Sequence, residues 1–240
     1  MTKSTLLGKL TRREFRERMA SGELKACLIP VAAIEQHLEH LAMEHDWRSV
    51  NVVAESVAEK LAPHVLVAQA LMVGVSEHHM THAGTLTLRP GTFLAVLNDL
   101  IRSVVVAGFE NVVVLNGHGG NIVPCRSNWD QFLREFQVNL HFISYWDVLD
   151  AADAELLQSG QRIPQDMPGH AQEFETAIAL ARFAENVRPD AMATQPDQTP
   201  SAATPELGQE MLSRITDRVA EFVRGVMDRT TLQEVPPFHP

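Results

Sequence analysis

Seven of the eleven histidines stand in three short clusters, each following an apolar, strand-like run: His37, His40 and His45; His78, His79 and His82; and His118. Imidazole is the commonest metal ligand and the usual general acid or base, so loop histidines gathered in this way point to a reactive site. Glu35 lies two residues before His37, and in extended backbone residues two apart point the same way, so both can address one point. Asp46 follows nine positions after His37. With His118 these residues offer two carboxylates and two imidazoles. Mixed nitrogen and oxygen donors suit zinc, manganese or iron and leave coordination positions open for water and substrate. A carboxylate such as Asp46 can bridge two metals about 3.5–4 Å apart, the arrangement of two-metal hydrolysis. The bland alternative is a solvated acidic loop. Another group, Gly169-His170-Ala171-Gln172-Glu173-Phe174-Glu175-Thr176, opens a helix. His170 could donate or accept a proton there, with Glu173 one turn on along the same face. Glutamates in a first helical turn are also favourable with the helix dipole alone.

The elements that must hold these residues alternate between strands and helices. Val112–Asn121 reads V-V-V-L-N-G-H-G-G-N. Its apolar run suits a strand covered on both faces, and the glycines that follow admit backbone conformations closed to other residues. No Lys-Ser/Thr pair follows them, so a phosphate loop is disfavoured. A helix is expected over Ile122–Gln137. The other strands are expected at Ala26–Ala33, Val65–Val75 (as one piece or two) and Leu140–Tyr145. Polar histidine-rich loops follow the first two, Ile34–Asp46 and Ser76–Gly84. Further helices are expected from Thr11 to Ala20, where Thr11-Arg12-Arg13-Glu14 has the capping-box form, from Arg48 to Leu61, and from Pro90 to Gly108. Asp147–Gln158, His170–Glu185 and Pro205–Asp228 also read as helices, with Asp190–Thr204 a surface linker and Glu234–Pro240 an extended tail. Such alternation predicts an α/β fold with a mainly parallel sheet covered on both faces, in one domain spanning 1–240.

The chain has 45% hydrophobic residues and a formal net charge of -10, which supports a substantial core and argues against a nucleic-acid surface. Two cysteines, Cys27 and Cys125, make no disulfide framework. No run approaches about 18 apolar residues and no signal peptide is evident, so a cytoplasmic protein without membrane contact is expected.

Taken together and in order, Glu35-Gln36-His37, Glu77-His78 before Gly84-Thr85, Asn116-Gly117-His118-Gly119-Gly120-Asn121 and His170-Ala171-x-Glu173-x-Glu175-Thr176 resemble the creatininase (creatinine amidohydrolase) family. That family also holds a formamide deformylase of flavin and deazaflavin biosynthesis and a peptidase of mycofactocin maturation. The resemblance covers roughly Leu28 to Ala181. It implies a three-layer α/β/α sandwich, two divalent metal ions (Zn, Mn or Fe), hydrolysis of a C–N bond in a small amide and assembly as a homohexamer. By position, Glu35 and His118 match ligands of one metal, His37 a ligand of the other, and Asp46 the bridge. His170 matches the catalytic histidine and Glu175 the glutamate of the family's Glu-Thr pair, expected to orient His170.

Departures from the family pattern bear on substrate. Creatininase itself has a glutamate ligand where this chain has Gly120. Glu173 is the candidate for the vacated position, with the roles of Glu173 and Glu175 open to reversal. The family usually continues Gly-Pro-His-Leu-Pro and then Thr-Asp, whereas this chain has Leu38-Glu39-His40-Leu41-Ala42 and then His45-Asp46. The tryptophan before the catalytic histidine is also missing, with Asp166 and Met167 in its neighbourhood. Creatinine is therefore a poor substrate candidate. The expected function is metal-dependent hydrolysis of a cyclic amide, formamide or similar molecule. The alternatives are a binding protein that has lost turnover, and a metal-dependent lactonase or isomerase.

Overall fold

The computed structural model describes residues 4–237, so the end of the expected 234–240 tail lies outside the described residues. Four strands, β1 (Ala26–Val31), β2 (Val65–Val67), β3 (Asn111–Asn116) and β4 (Asn139–Ser144), form one parallel sheet in the order β2-β1-β3-β4. Seven α-helices surround it among the described residues: α1 (Arg12–Ala20), α2 (His45–Lys60), α3 (Pro90–Val106), α4 (Ile122–Glu135), α5 (Glu173–Arg182), α6 (Pro189–Thr194) and α7 (Pro205–Met227).

Successive strand residues point to opposite faces, and both faces are apolar. Leu28, Val113 and Leu115 face Val50 and Val53 of α2, Phe174 and Ile178 of α5, and Met211 and Ile215 of α7. Cys27, Ile29, Val112 and Val114 face Phe93 and Leu97 of α3 and Trp129 and Phe132 of α4. The result is three layers, α/β/α. Pro30 fits inside β1 because β2 pairs only with Ala26–Leu28, so the missing N–H falls beyond its end.

The chain leaves β1 toward β2 on one side and returns to β3 on the other. Such a reversal opens a crevice at the carboxyl ends of the two central strands, the ordinary ligand position in an open α/β sheet. The register pairs Val31 with Asn116 at this edge, and Gly117 N donates to Val31 O at 2.8 Å. The loops carrying Glu35, His37 and His118 therefore leave the sheet side by side.

Several elements differ from the sequence-based expectation, and the strand expected over Val65–Val75 ends at Val67 with a single further bridge at Leu71. α2 begins at His45 rather than Arg48, so His45 and Asp46 lie in its first turn. Asp147–Gln158 is not a helix but a set of turns with a 3-10 segment at Asp153–Leu156. There the buried Asp153 carboxylate accepts from Asp150 N, Arg214 and Arg218, and local side-chain bonds of this kind compete with helix formation. α5 begins at Glu173 rather than His170, because Ala171 adopts φ 53°, outside the helical range. The expected linker 190–204 holds most of α6 and a 3-10 turn.

Candidate metal centre

The Asn-Gly-His-Gly-Gly-Asn turn is held by its own side chains. Asn116 Oδ1 accepts from His118 N (3.1 Å), and Asn116 Nδ2 donates to His118 O (2.8 Å). Asn121 Oδ1 accepts from Val75 N, and its Nδ2 donates to Ala32 O, which ties together the loops after β1, β2 and β3. Gly120 lies against this junction. A Cβ there would sit 2.0 Å from Val75 O and 2.5 Å from His118 Nε2, so only glycine fits.

Each inward imidazole is fixed through one nitrogen and presents the other. His118 Nε2 donates to Val75 O (3.0 Å), leaving Nδ1 2.9 Å from Asp46 Oδ2 and 3.5 Å from Glu35 Oε1. His37 Nδ1 donates to Glu35 O (3.1 Å), leaving Nε2 3.1 Å from Asp46 Oδ1 and 3.9 Å from Glu175 Oε2. Asp46 thus turns one oxygen to each histidine. Burial works against a charged His37, but the charge and hydrogen bond of Asp46 outweigh it and lift the pKa to about 10. Burial likewise opposes an ionised Asp46, and His37 and His118 overcome that to hold it well below the usual carboxylate range.

Glu175 accepts from Ala171 N at 2.6 Å, a contact set up by the positive φ of Ala171. Burial, aided by Asp46, pushes its carboxyl up to about 8. Glu173, expected to occupy the vacated coordination position, faces elsewhere: its oxygens accept from Gln158 N (3.0 Å) and Ser159 N (2.7 Å) and anchor that loop. The carboxylate that meets His37 and Asp46 belongs to Glu175. Nor does either glutamate orient His170, whose Nε2 instead accepts from Gln36 Nε2 at 2.8 Å. Gln36 Nε2 also donates to His79 Nδ1 (2.9 Å), and the His79 and His170 rings stack at 4.3 Å. The Nδ1 of His170 is 3.6 Å from Glu35 Oε1. Burial, followed by the charge of His37, depresses the His170 pKa to about 3, so the ring is neutral near pH 7.

The remaining histidines divide. His40 is fully buried, with both nitrogens taken by Gln195 Oε1 and Thr176 Oγ1, and it braces the loop against α5. His78 is exposed but presents a nitrogen to Glu35 and His118, while His82 sits in the cleft mouth. His45 is 1% exposed and faces His37, Asp46 and Glu175. Sequence alone places it in the loop after the first strand, because the apolar periodicity of the following helix starts only at Val50.

Among the described residues, Glu35 Oε2, His45 Nδ1 and Asp46 Oδ2 are buried without a hydrogen-bond partner; the His118 ring, though close, aims no hydrogen at Asp46 Oδ2. Three buried carboxylates, Glu35, Asp46 and Glu175, converge here, an arrangement that is costly unless cations or protons compensate it. Donor atoms lie within 4.8 Å of one another in three sets: His37, His45, Asp46 and Glu175; Glu35, His78 and His118; and Glu35, His79 and His170. The donor chemistry fits divalent cations.

A parallel three-layer sheet with this cluster at the switch point, set beside the relatives below, defines the class as an α/β/α hydrolase. Residues 8–201 match the creatininase family model, described as creatinine amidohydrolase, and the chain belongs to that family. It is 29% identical over 214 residues to creatinine amidohydrolase of Pseudomonas putida, covering 83% of this chain and 80% of that one. It is also 29% identical over 180 residues to 3-dehydro-scyllo-inosose hydrolase of Thermotoga maritima, covering 73% of this chain and 55% of that protein. A crystal structure of creatininase superposes with TM-score 0.81 at 27% identity, over 92% of this chain and 97% of that one. Similar creatininase structures are described as a Mn form and a Zn-Zn form.

Proposed function

We propose that the protein is a dinuclear metal-dependent amidohydrolase that cleaves a C–N bond of a small amide. The observation that carries this reading is Asp46, whose two oxygens face His118 and His37 respectively. Glu35, His118 and Asp46 would hold one ion, and His37, Asp46 and Glu175 the other. Two divalent ions so held would supply a water of lowered pKa and an anchor for the carbonyl oxygen.

His170 lies beside this cluster, its side chain 30% exposed. Neutral, with Nε2 accepting from Gln36, it carries its proton on Nδ1. As a neutral ring it would first take up, at Nε2 in place of the Gln36 contact, the proton released by the attacking water and then pass it to the departing nitrogen, a step that otherwise makes amide cleavage slow. The cleft above is lined by Gln36, Leu38, Glu39, Met43, His82 and Gln195 and encloses about 640 Å³, a small-molecule size. Leu38 adopts φ 53° where the family usually has glycine, so the turn keeps a glycine-like backbone while presenting an apolar side chain to the cleft. This favours a substrate other than creatinine.

A second reading, hydrolysis without release of an amine, is favoured by the similarity to the inosose hydrolase. One assay separates the two: metal-loaded protein against cyclic amides, formamides, short peptides and lactones, read by mass spectrometry. Gain of one water in a single product indicates ring opening, and two fragments indicate a linear amide. Turnover of lactones alone would overturn the amidohydrolase reading. The proposal extends to a single-domain cytoplasmic homohexamer, with the assembly checked by light scattering. No helix among the described residues is long and apolar enough to cross a membrane.

A further inference from the structure

We propose that His45 is an additional metal ligand, donating through Nδ1 to the ion held by His37, Asp46 and Glu175. The inference rests on the dinuclear reading above and goes beyond it, since the family pattern places threonine at this position.

Burial and pairing carry the argument. His45 lies in the first turn of α2, next to Asp46, and is 1% exposed. Its Nε2 is within 3.2 Å of Ser49 Oγ, one helical turn on, and that hydroxyl is itself buried. Its Nδ1 has no partner. One ring nitrogen lies within 4.8 Å of donor atoms from His37, Asp46 and Glu175. His37 and His118 show the same design, one nitrogen tied to a backbone carbonyl and the other turned inward. A second partner on the non-coordinating nitrogen is what fixes the orientation of metal-bound histidines. The His37 and Phe183 rings, 5.0 and 5.6 Å away, pack against His45 and keep the site dry.

A side chain at Gly120 would collide with Val75 O and His118, so position 120 cannot supply a donor. Glu175 and His45 approach the same ion from α5 and α2 instead. The two positions then differ in chemistry. The inner one has four protein donors, two nitrogen and two oxygen, all buried, whereas the outer one has Glu35, Asp46 and His118 with the exposed His78 beside them. Imidazole favours zinc, cobalt or nickel over manganese and magnesium, so the inner ion should be zinc-like and slowly released. Water and substrate would reach the cluster on the side of His79 and His170, the part-buried histidines next to Glu35.

The test compares wild type with His45→Gln and His45→Thr, each stripped with chelator and titrated with zinc or cobalt. Wild type should bind two ions, one tightly. Each variant should keep one site and bind at the other more than about 100-fold more weakly, with an altered cobalt absorption spectrum. X-ray absorption of zinc-loaded wild type, and of a His78→Ala protein that lacks the exposed imidazole beside Glu35 and His118, should count at least three imidazoles over two ions, and this measurement decides the matter without a His45 variant should either substitution unfold the protein. Two imidazoles in either protein, or His45 variants with unchanged affinity and spectrum, would overturn the assignment while leaving the dinuclear reading intact. A wild type that binds no metal would overturn both.

Discussion

Glu173 and Glu175 stand two positions apart at the start of α5 and turn their carboxylates to opposite tasks. Two helical residues are separated by about 200° around the axis, so both cannot face one point. Glu173 caps backbone N–H groups of Gln158 and Ser159, and Glu175 faces His37 and Asp46. Glu175→Gln should therefore weaken one metal site by about 100-fold or more while the fold persists. Glu173→Gln should keep both ions but lower stability by about 1 kcal/mol, because the part-buried N–H groups of Gln158 and Ser159 lose a charged acceptor. Metal titration and chemical denaturation of the two variants distinguish the roles.

Asp46 serves both histidines, so Asp46→Ala should lose both ions rather than one. Elemental analysis after gel filtration would show it, with turnover abolished. Full activity in a metal-loaded Asp46→Ala protein would sink the proposed mechanism.

Gly120→Ala places a methyl group against Val75 O and His118. Backbone is on one side and a tightly held ring on the other, so neither can yield without moving the junction of three loops. A loss of about 1–3 kcal/mol or more is expected from overpacking, together with weaker binding at the His118 site. Denaturant midpoints and zinc affinity test both effects.

Metal-free protein should lose stability as pH rises. His37 lies at about 10 against an ordinary 6.5, and Glu175 at about 8 against 4.5. A folded-state value raised above the unfolded one contributes stability that is fully present below the unfolded value and lost as pH rises through the folded one. For these two groups the loss spans pH 4.5 to 10, and most of the His37 part falls above pH 6.5. Asp46, shifted downward, contributes in the opposite sense, and its part is lost only in acid. Metal binding must displace the His37 proton, so apparent affinity should increase with pH over the same alkaline range. Unfolding curves of chelator-treated protein from pH 6.5 to 10 would check the first expectation, and zinc competition at each pH the second. A stability that rises through this window would contradict the assignment.

His170→Ala should retain both ions and lower kcat by about 10²–10⁴-fold, the usual contribution of a positioned acid–base group. Unchanged kcat on a substrate whose amine leaves would remove His170 from the reaction.

Local pattern was enough to read much of this protein from its sequence. Apolar runs of strand length, alternating with stripes at helical spacing, require buried parallel strands and covering helices. The glycines of the Asn116–Asn121 turn, and the two-residue spacing of Glu35 and His37, put reactive groups at strand ends, because strand direction and turn geometry depend on neighbouring residues alone. Motif order then carried the family. What only the tertiary structure decided were the contacts whose partners lie far apart in the chain. Spacing requires Glu173 and Glu175 to diverge, but the packing of α5 against α7 and α2 decides which one faces His37 and Asp46. The link from Gln36 to His170 spans 134 positions, and no local signal encodes it. His45 has an ordinary polar sequence neighbourhood, and its burial exists only because α2 starts early and packs against both the sheet and α5. Asp153 drew its arginines from α7, some 60 positions away, and so turned an expected helix into a loop. Side-chain direction within an element is a local property; what that side chain meets is settled by how the elements pack.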